Sequence, residues 1–362
     1  MFKLFNSIIL VKELLNLFNN WMLKWDKKSC PYCSSTRVQR NGMSKHKRQR
    51  WFCCVCGHTF IWKNRLNKYL RQRIWFIRWI VEGYAIRQLS IQSGHSFSTI
   101  RRVIEYWLLH PPCNTKVLSE PRYLIFDGTS LEQHRGIFTV MNANGFSVLH
   151  GVPDISEGPS DLLPFCLSLA QRRLYPKSAT VDGNPHLIKI LRSLWPDIII
   201  QRCLVHIQRQ GLSWCRINPK RTDAKQLREL FLQVMSIDTL SERDRFLDQV
   251  NKWEQKYGHQ IASSPETGWV FSDLKRARSM LLSALPDMFH YLYDPNIPKS
   301  TNALEGYYAR LKQKYYQHRG LVKQNRDAYF IWYLNLCPRW KTNTFWVLCP
   351  FWGSSDGRPK NL

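Results

Sequence analysis

The 362-residue chain carries 53 Lys and Arg against 26 Asp and Glu, a formal charge of +27. Its 44% hydrophobic and 13% aromatic residues provide for a sizeable core in two or three domains, which excludes a disordered polyelectrolyte. A positive excess of this size points to a polyanionic partner, with nucleic acid the leading class.

The excess is concentrated early. From Lys27 to Arg102 there are seventeen Lys or Arg and one acid, Glu82, whereas cations that merely solvate a surface are usually interleaved with acids. Residues 1–27 are apolar, but Lys12 and Glu13 interrupt the run and no small-residue cleavage site follows. The segment reads as an amphipathic helix rather than a signal or membrane anchor. The cysteine count of eleven is odd, and five lie between Cys30 and Cys56. That argues for a reducing cytoplasm rather than a disulfide framework.

Residues 28–62 place Cys30-x2-Cys33 and Cys53-x2-Cys56 on either side of nineteen residues with no helical period. Two such knuckles supply four thiolates to one tetrahedral ion, so a ribbon with one structural zinc is expected, Cys54 being a competing ligand. Buried free cysteines are the plainer alternative.

Residues 63–112 turn helical. Leu66, Leu70, Ile74, Ile77 and Val81 recur at spacings of three and four up to Gly83, a second helix is expected over 86–93, and Gly94-His95 makes the turn. A third helix points Phe97, Ile100, Val103 and Trp107 inward. This is a helix-turn-helix outline, in which Ser98, Thr99, Arg101 and Arg102 are placed to meet phosphates or base edges. A plain three-helix packing unit has the same pattern.

Beyond Pro111-Pro112, RYLIFD, GIFTVMN and FSVLHGV predict three adjacent antiparallel strands. An apolar-periodic segment over 161–174, then SATVDG, a helix over 186–194 and DIIIQRC carry the chain into α/β alternation, so the sheet is mixed. Residues 207–299 are expected to be helical, with Leu227, Leu230, Phe231 and Val234 on one face and Phe246, Val250, Trp253 and Tyr257 on another. In residues 300–337 the stretch STNALEGYYARLKQKYYQ turns Leu304, Tyr308, Leu311 and Tyr315 inward. The tail, 338–362, has no sustained period.

Asp127 and Asp182 each end an apolar strand, and Glu305 sits on a helix. Asp-Gly is also a common turn dipeptide, and a helical Glu is usually just solvated. Two strand-end aspartates and a distant glutamate are nonetheless the hard oxygen ligands that cleavage of DNA by two divalent cations asks for. Lys312 lies two turns along the face of Glu305, and Arg310, Lys314, His318 and Arg319 form an expected basic rim, with Lys312 and Arg319 named for phosphate positioning.

Taken together, IFDGTSL, TVDGNP, QRCLVHIQR and STNALEGYYARLKQKYYQHRG resemble the Mutator-like insertion-sequence transposases, in particular a group with a zinc-binding amino terminus. The resemblance runs from about Cys30 to Leu336. It implies an α/β, RNase H-like catalytic domain, its first part in residues 120–206, interrupted by the all-α insertion and preceded by the ribbon and the helix-turn-helix. It assigns Asp127, Asp182 and Glu305 to two Mg²⁺ (or Mn²⁺) per active site, and it puts Cys203 and His206 on the family's Cys-or-Asp-x-x-His signature beside that centre. Whether this pair acts directly, or is a buried thiol and a helix-start histidine, the spacing leaves open. The expected activity is hydrolysis at the ends of a mobile element followed by strand transfer. The expected partners are double-stranded DNA (terminal inverted repeats and target) and further copies of the chain, as a homodimer or higher oligomer on DNA. The expected setting is the cytoplasm of a bacterium or archaeon, at the nucleoid and away from membranes. An inactive DNA-binding regulator descended from a transposase, or a structure-specific nuclease, would share much of the pattern. The ribbon and helix-turn-helix depart from the family's better-known amino termini, so details of end recognition do not carry over.

Overall fold

The computed structural model describes residues 29–61, 65–113, 118–120, 122–132, 135–263, 268–318 and 320–339. The amino-terminal helix expected over 1–27, Arg319 and nearly all of the tail lie outside the described residues. The chain divides into two compact units, 1–71 and 72–362.

In the first unit three short antiparallel strands, β1 (Val38–Met43), β2 (Gln49–Cys53) and β3 (Thr59–Ile61), form a meander in that order. Trp51 pairs with Phe60 across β2 and β3. Among the described residues its buried apolar core is Cys30, Cys53 and Phe60, with Val38, Trp51 and Cys56 packed against them. Burial on that scale is too small to fold a module without a staple.

Helix α1 (Arg65–Glu82) crosses the division and stops before Gly83, whose φ of 77° only glycine adopts without strain. Helix α2 (Ile86–Ser93) and α3 (Phe97–Leu108) follow, separated by Gly94 in the left-handed region. The Ser96 hydroxyl accepts from the Thr99 N–H at 3.3 Å and caps α3. The outline of two helices and a turn is as read from the sequence, and Ile77, Ile100 and Val103 face inward as expected, but the rest of the inward faces differs; the side chains of Leu66 and Leu70 lie outside the described ones. On α1 the buried positions are Gln72, Phe76, Ile77, Trp79 and Ile80, while Ile74 and Val81 are half-buried. On α3 they are Ile100, Val103, Ile104 and Leu108, and Phe97 is 51% exposed.

The reason lies in helix α12 (Lys323–Leu336), which packs aromatic rings against α1 and α3 and draws their aromatic positions inward. Phe76 meets Trp332 edge-on at 5.1 Å, Trp79 meets Tyr329 at 5.4 Å, and the Trp332 indole donates to the Trp107 carbonyl at 2.8 Å. Phe97, as the first residue of its helix, points back past the end of the packed stripe.

The sheet of this unit comprises β4 (Tyr123–Glu132), β5 (Arg135–Asn142), β6 (Ser147–Ile155), β7 (Ser178–Val181) and β8 (Ile199–Arg202), in the order β6-β5-β4-β7-β8. The first three pair antiparallel, and β4-β7 and β7-β8 pair parallel, which makes the mixed sheet that was expected. Helix α4 (Pro159–Gln171) carries the chain from β6 back across the sheet to β7, and α5 (Pro185–Leu194) joins the parallel pair β7 and β8, as parallel pairing requires. These helices bury Leu162, Phe165, Leu187 and Leu191 with Leu124 and Phe126. Helix α11 (Asn302–Tyr315) packs along β4, and Tyr308 is buried on it.

Between Arg202 and Asn302 no strand lies among the described residues. Helices α6 (Leu204–Cys215), α7 (Thr222–Gln233), α8 (Leu240–Trp253), α9 (His259–Ser263) and α10 (Trp269–Ala284) share a core containing Leu227, Phe231, Phe246, Trp253 and Leu281. Leu204 and Ile207 belong to that core. The helical segment therefore starts with α6 itself, and the boundary expected at residue 207 falls inside this helix.

Candidate functional site

In the first unit the knuckles are turns built by the backbone. The Ser34 N–H donates to the Cys30 carbonyl at 2.8 Å, and the Gly57 N–H donates to the Cys53 carbonyl at 3.0 Å. Ser34 and Gly57 both have positive φ, so each turn folds its second cysteine back toward the first. The sulfurs of Cys30, Cys33, Cys53 and Cys56 all lie within 4.8 Å of one another. The Cys30–Cys56 and Cys33–Cys53 sulfurs are 3.5 and 3.6 Å apart. Four sulfurs bound at about 2.3 Å to one tetrahedral ion would sit about 3.8 Å apart, so these four are close enough to hold a metal ion, and all-sulfur donors suit zinc. Cys54 is exposed and stands outside the group, which resolves the competition in favour of Cys53.

In the larger unit the parallel register sets the candidate acids. Ile125 of β4 lies opposite Thr180 of β7, and Val181 lies opposite Arg202 of β8. Asp127 was expected to end its strand but lies inside β4, which runs on to Glu132; in this register it stands level with Asp182 and Cys203, which directly follow the last residues of β7 and β8, on three neighbouring strands about 4.8 Å apart. The Cys203 N–H still donates to the Val181 carbonyl at 2.8 Å.

Glu305 reaches this end because the start of α11 is tied down there. The Leu204 N–H donates to the Lys299 carbonyl at 3.0 Å, and the Thr180 hydroxyl donates to the Pro298 carbonyl at 2.8 Å. The Thr301 N–H donates to the Cys203 sulfur at 3.3 Å. One turn beyond Glu305, the Tyr308 hydroxyl donates to the Asp127 carbonyl at 2.6 Å and lies 2.7 Å from the Thr139 hydroxyl.

His206, on the first turn of α6, stands among the acids. Its Nδ1 is 3.2 Å from the Cys203 sulfur and its Nε2 is 3.7 Å from Glu305 Oε1, while Arg209 approaches the same carboxylate at 3.4 Å. Asp127 is 7% exposed. Burial, opposed by His206 and reinforced by the charge of Asp182, pushes its carboxyl up to about 7. His206 is pushed up to about 9, first by its hydrogen bond to Cys203, against burial, and then by the charges of Cys203, Asp127 and Asp182. Burial would raise the Cys203 thiol, but hydrogen bonding and charge from His206 outweigh it and hold the thiol below its ordinary range.

Glu157, in the loop between β6 and α4, is a further acid at this end that sequence reasoning missed. Burial of its carboxyl and the charge of Asp182 raise it, against a hydrogen bond from Asn184. The residue is exposed overall, but its carboxylate lies against Gly128, where an added Cβ would fall 2.2 Å from Oε1. The signal available in the sequence was an acid just ahead of the Gly-Pro start of a helix, too common to single out. The four cysteines are the one group among the described residues whose ligand atoms converge as those of a bound ion do. Of the carboxylates, that of Glu305 approaches His206 at 3.7 Å, while Asp127 and Asp182 act on it through their charges.

Of the expected DNA-contacting residues, Ser98, Arg101 and Arg102 are exposed. Arg101 pairs with Glu105 at 2.8 Å, and Arg102 donates to the Ser98 carbonyl at 3.1 Å. Thr99 lies 3.0 Å from the Ser96 hydroxyl, in the cap. Lys312 is half-buried, and burial lowers its ammonium. His318 is not part of a basic rim: it is buried, 2.8 Å from the Trp79 carbonyl, because α1 covers it. Lys314 likewise donates to the Glu82 carbonyl at 3.1 Å. No helix among the described residues is long and apolar enough to cross a membrane.

No protein-family model matches the chain, and no curated protein is significantly similar to it.

Proposed function

We propose that the larger unit is a divalent-cation-dependent centre for cutting and rejoining DNA, a DDE transposase on an RNase H-like sheet resembling the Mutator-like insertion-sequence group, and that the first unit is its zinc ribbon. One observation carries this reading. Although 55 and 123 residues separate Asp127, Asp182 and Glu305 in the chain, Glu305 Oε1 lies 3.7 Å from His206 Nε2 and the charges of Asp127 and Asp182 act on the same imidazole.

The donor set fits hard cations. Asp127 is raised by burial and by Asp182, and Glu157 is raised by burial and by the same aspartate, so carboxylates crowd where bound positive charge would relieve them. Asp127, Asp182 and Glu305 would hold two Mg²⁺ or Mn²⁺, with Glu157 as an added oxygen donor. Bound there, such ions supply Lewis acidity to the attacking and leaving oxygens of a phosphodiester. The chain's own part is positional. His206 and Arg209 orient Glu305, Tyr308 fixes the backbone of Asp127, and Cys203 anchors both Thr301 and His206. Helices α2 and α3, with the ribbon, are assigned to the terminal inverted repeats. Work on two ends at once implies a dimer or larger assembly on DNA, at the nucleoid of a bacterial or archaeal cytoplasm.

The test is cleavage of duplexes carrying inverted repeats found in the DNA flanking the gene, with Mg²⁺ or Mn²⁺. Asp127→Asn, Asp182→Asn and Glu305→Gln should each abolish cutting and leave binding within about twofold, since none of these residues belongs to the basic amino-terminal footprint. Cutting at the wild-type rate by these variants would refute the assignment. Strand transfer with defined ends separates a transposase from a structure-specific nuclease. A second reading, an inactive DNA-binding regulator, is favoured by the engagement of Glu305 with both His206 and Arg209. It predicts binding without cleavage in either metal.

A further inference from the structure

Beside the Asp182 turn a cleft of about 870 Å³ opens between α5 and α10. Its walls hold five cations, Lys189, Arg192, Arg202, Lys275 and Arg276, against one acid, Asp287. That acid is engaged already, with Arg192 donating to both its oxygens at 3.0 and 2.8 Å.

Arg202 sits at the strand end next to Gly183. It is 8% exposed, and its Nε has no hydrogen-bond partner. Arg202 nevertheless lines the cleft, and its largely desolvated charge favours an anionic occupant there. Gly183, at φ of 109°, leaves the space: an added Cβ would stand 2.0 Å from the Arg202 guanidinium. The same cleft takes in Ser279 and Ser283 of α10; the Ser283 hydroxyl donates to the Met280 carbonyl at 3.0 Å, and a serine hydroxyl such as that of Ser279 is an ordinary phosphate donor.

We infer that this cleft is a groove for the phosphodiester backbone of a nucleic-acid strand running on from the acid end of the sheet, so that the helical segment is a second DNA-holding surface. The inference rests on the proposed function for its ligand. Two features of the molecule favour a polymer over a small anion. The cations are spread over two helices and a strand end rather than converging on one point, and the groove begins one residue from Asp182.

The experiment is duplex binding by the full chain, followed by fluorescence anisotropy across a salt series. Lys189→Glu/Lys275→Glu/Arg276→Glu is compared with Arg245→Glu/Lys252→Glu/Lys256→Glu, an equal change of charge at exposed positions outside the cleft. Thermal melting checks that both variants fold. Three lost phosphate contacts should lower the salt slope by about two to three and weaken binding on the order of tenfold or more, while the control stays within about threefold of wild type. Equal losses in the two variants, or wild-type affinity in the cleft variant, would overturn the inference. So would loss of stabilisation by inorganic pyrophosphate in a cleft variant that still binds duplex normally, because that would assign the cleft to a small phosphate ligand. Weakened binding in the cleft variant of a chain that cuts no DNA in Mg²⁺ or Mn²⁺ would sink the catalytic reading and leave the groove standing.

Discussion

His206 Nε2 lies 3.7 Å from Glu305 Oε1 while its Nδ1 lies 3.2 Å from the Cys203 sulfur. The imidazole thus links a helix that begins at residue 302 to the end of a strand 100 residues earlier in the chain. The Cys-x-x-His spacing is what permits this. Cys203 caps α6 from the strand end, and three residues on, His206 returns to the same side of the helix.

If His206 positions Glu305, His206→Ala should lower metal-dependent DNA cleavage by about 10²-fold, the scale of misplacing a reacting group, with DNA affinity unchanged. His206→Gln should recover part of the loss. Single-turnover cleavage kinetics measure it, and equal rates in all three proteins would remove the histidine from the account.

The hydroxyl of Tyr308 joins the Asp127 carbonyl to Thr139 inside the core. Tyr308→Phe should destabilise the larger unit by about 1–3 kcal/mol, because it leaves two buried polar groups short of a partner. Urea unfolding gives the figure, and a change under a few tenths would mean that water or a shifted side chain replaces the bond.

Four sulfurs within 4.8 Å around so small a core predict one zinc ion per chain, lost on chelation together with the fold of the first unit. Cys33→Ser should lose most of the metal, and Cys54→Ser, whose residue stands outside the group, should keep it. Elemental analysis of the purified variants decides. Full zinc content in Cys33→Ser would mean that another ligand set is in use.

His150, on β6, stacks on Phe165 at 5.4 Å, and burial, aided by the charge of Arg172, pushes its imidazole down to about 4. A histidine in the unfolded chain protonates near 6.5. As the pH falls, the unfolded state therefore takes up the proton first, and stability present above about 6.5 drains away down to about 4. The loss is on the order of 2–3 kcal/mol. His150→Leu should flatten that part of the curve of unfolding free energy against pH. An unchanged slope between these limits would show that the ring is hydrated when folded.

The strands were legible because their cores are apolar and bounded by turn residues: β5 and β6 fall on GIFTVMN and FSVLHGV, and β4 begins within RYLIFD but runs on to Glu132, past the Asp-Gly pair that reads as its end. The four cysteines were legible because their spacing is itself the geometry. Ile77, Ile100 and Val103 were legible as inward positions, but the aromatic part of the α1 and α3 faces was not, since it is decided by Trp332 and Tyr329 on a helix more than 200 residues away, and local periodicity carries no information about that partner. For the same reason His318, which looks like one more surface cation beside Lys314, is a core residue. Glu157 was invisible for a different reason: its place at the sheet end follows from how the loop after β6 folds back over Gly128.

The central claim is that the carboxylates around His206 hold divalent cations. Mn²⁺ uptake by the zinc-loaded chain, followed by electron paramagnetic resonance titration of free Mn²⁺, tests it without any DNA substrate. The account predicts saturable uptake of about two ions per chain, lost in an Asp127→Asn/Asp182→Asn variant that still melts cooperatively. Uptake that is the same in that variant would contradict it.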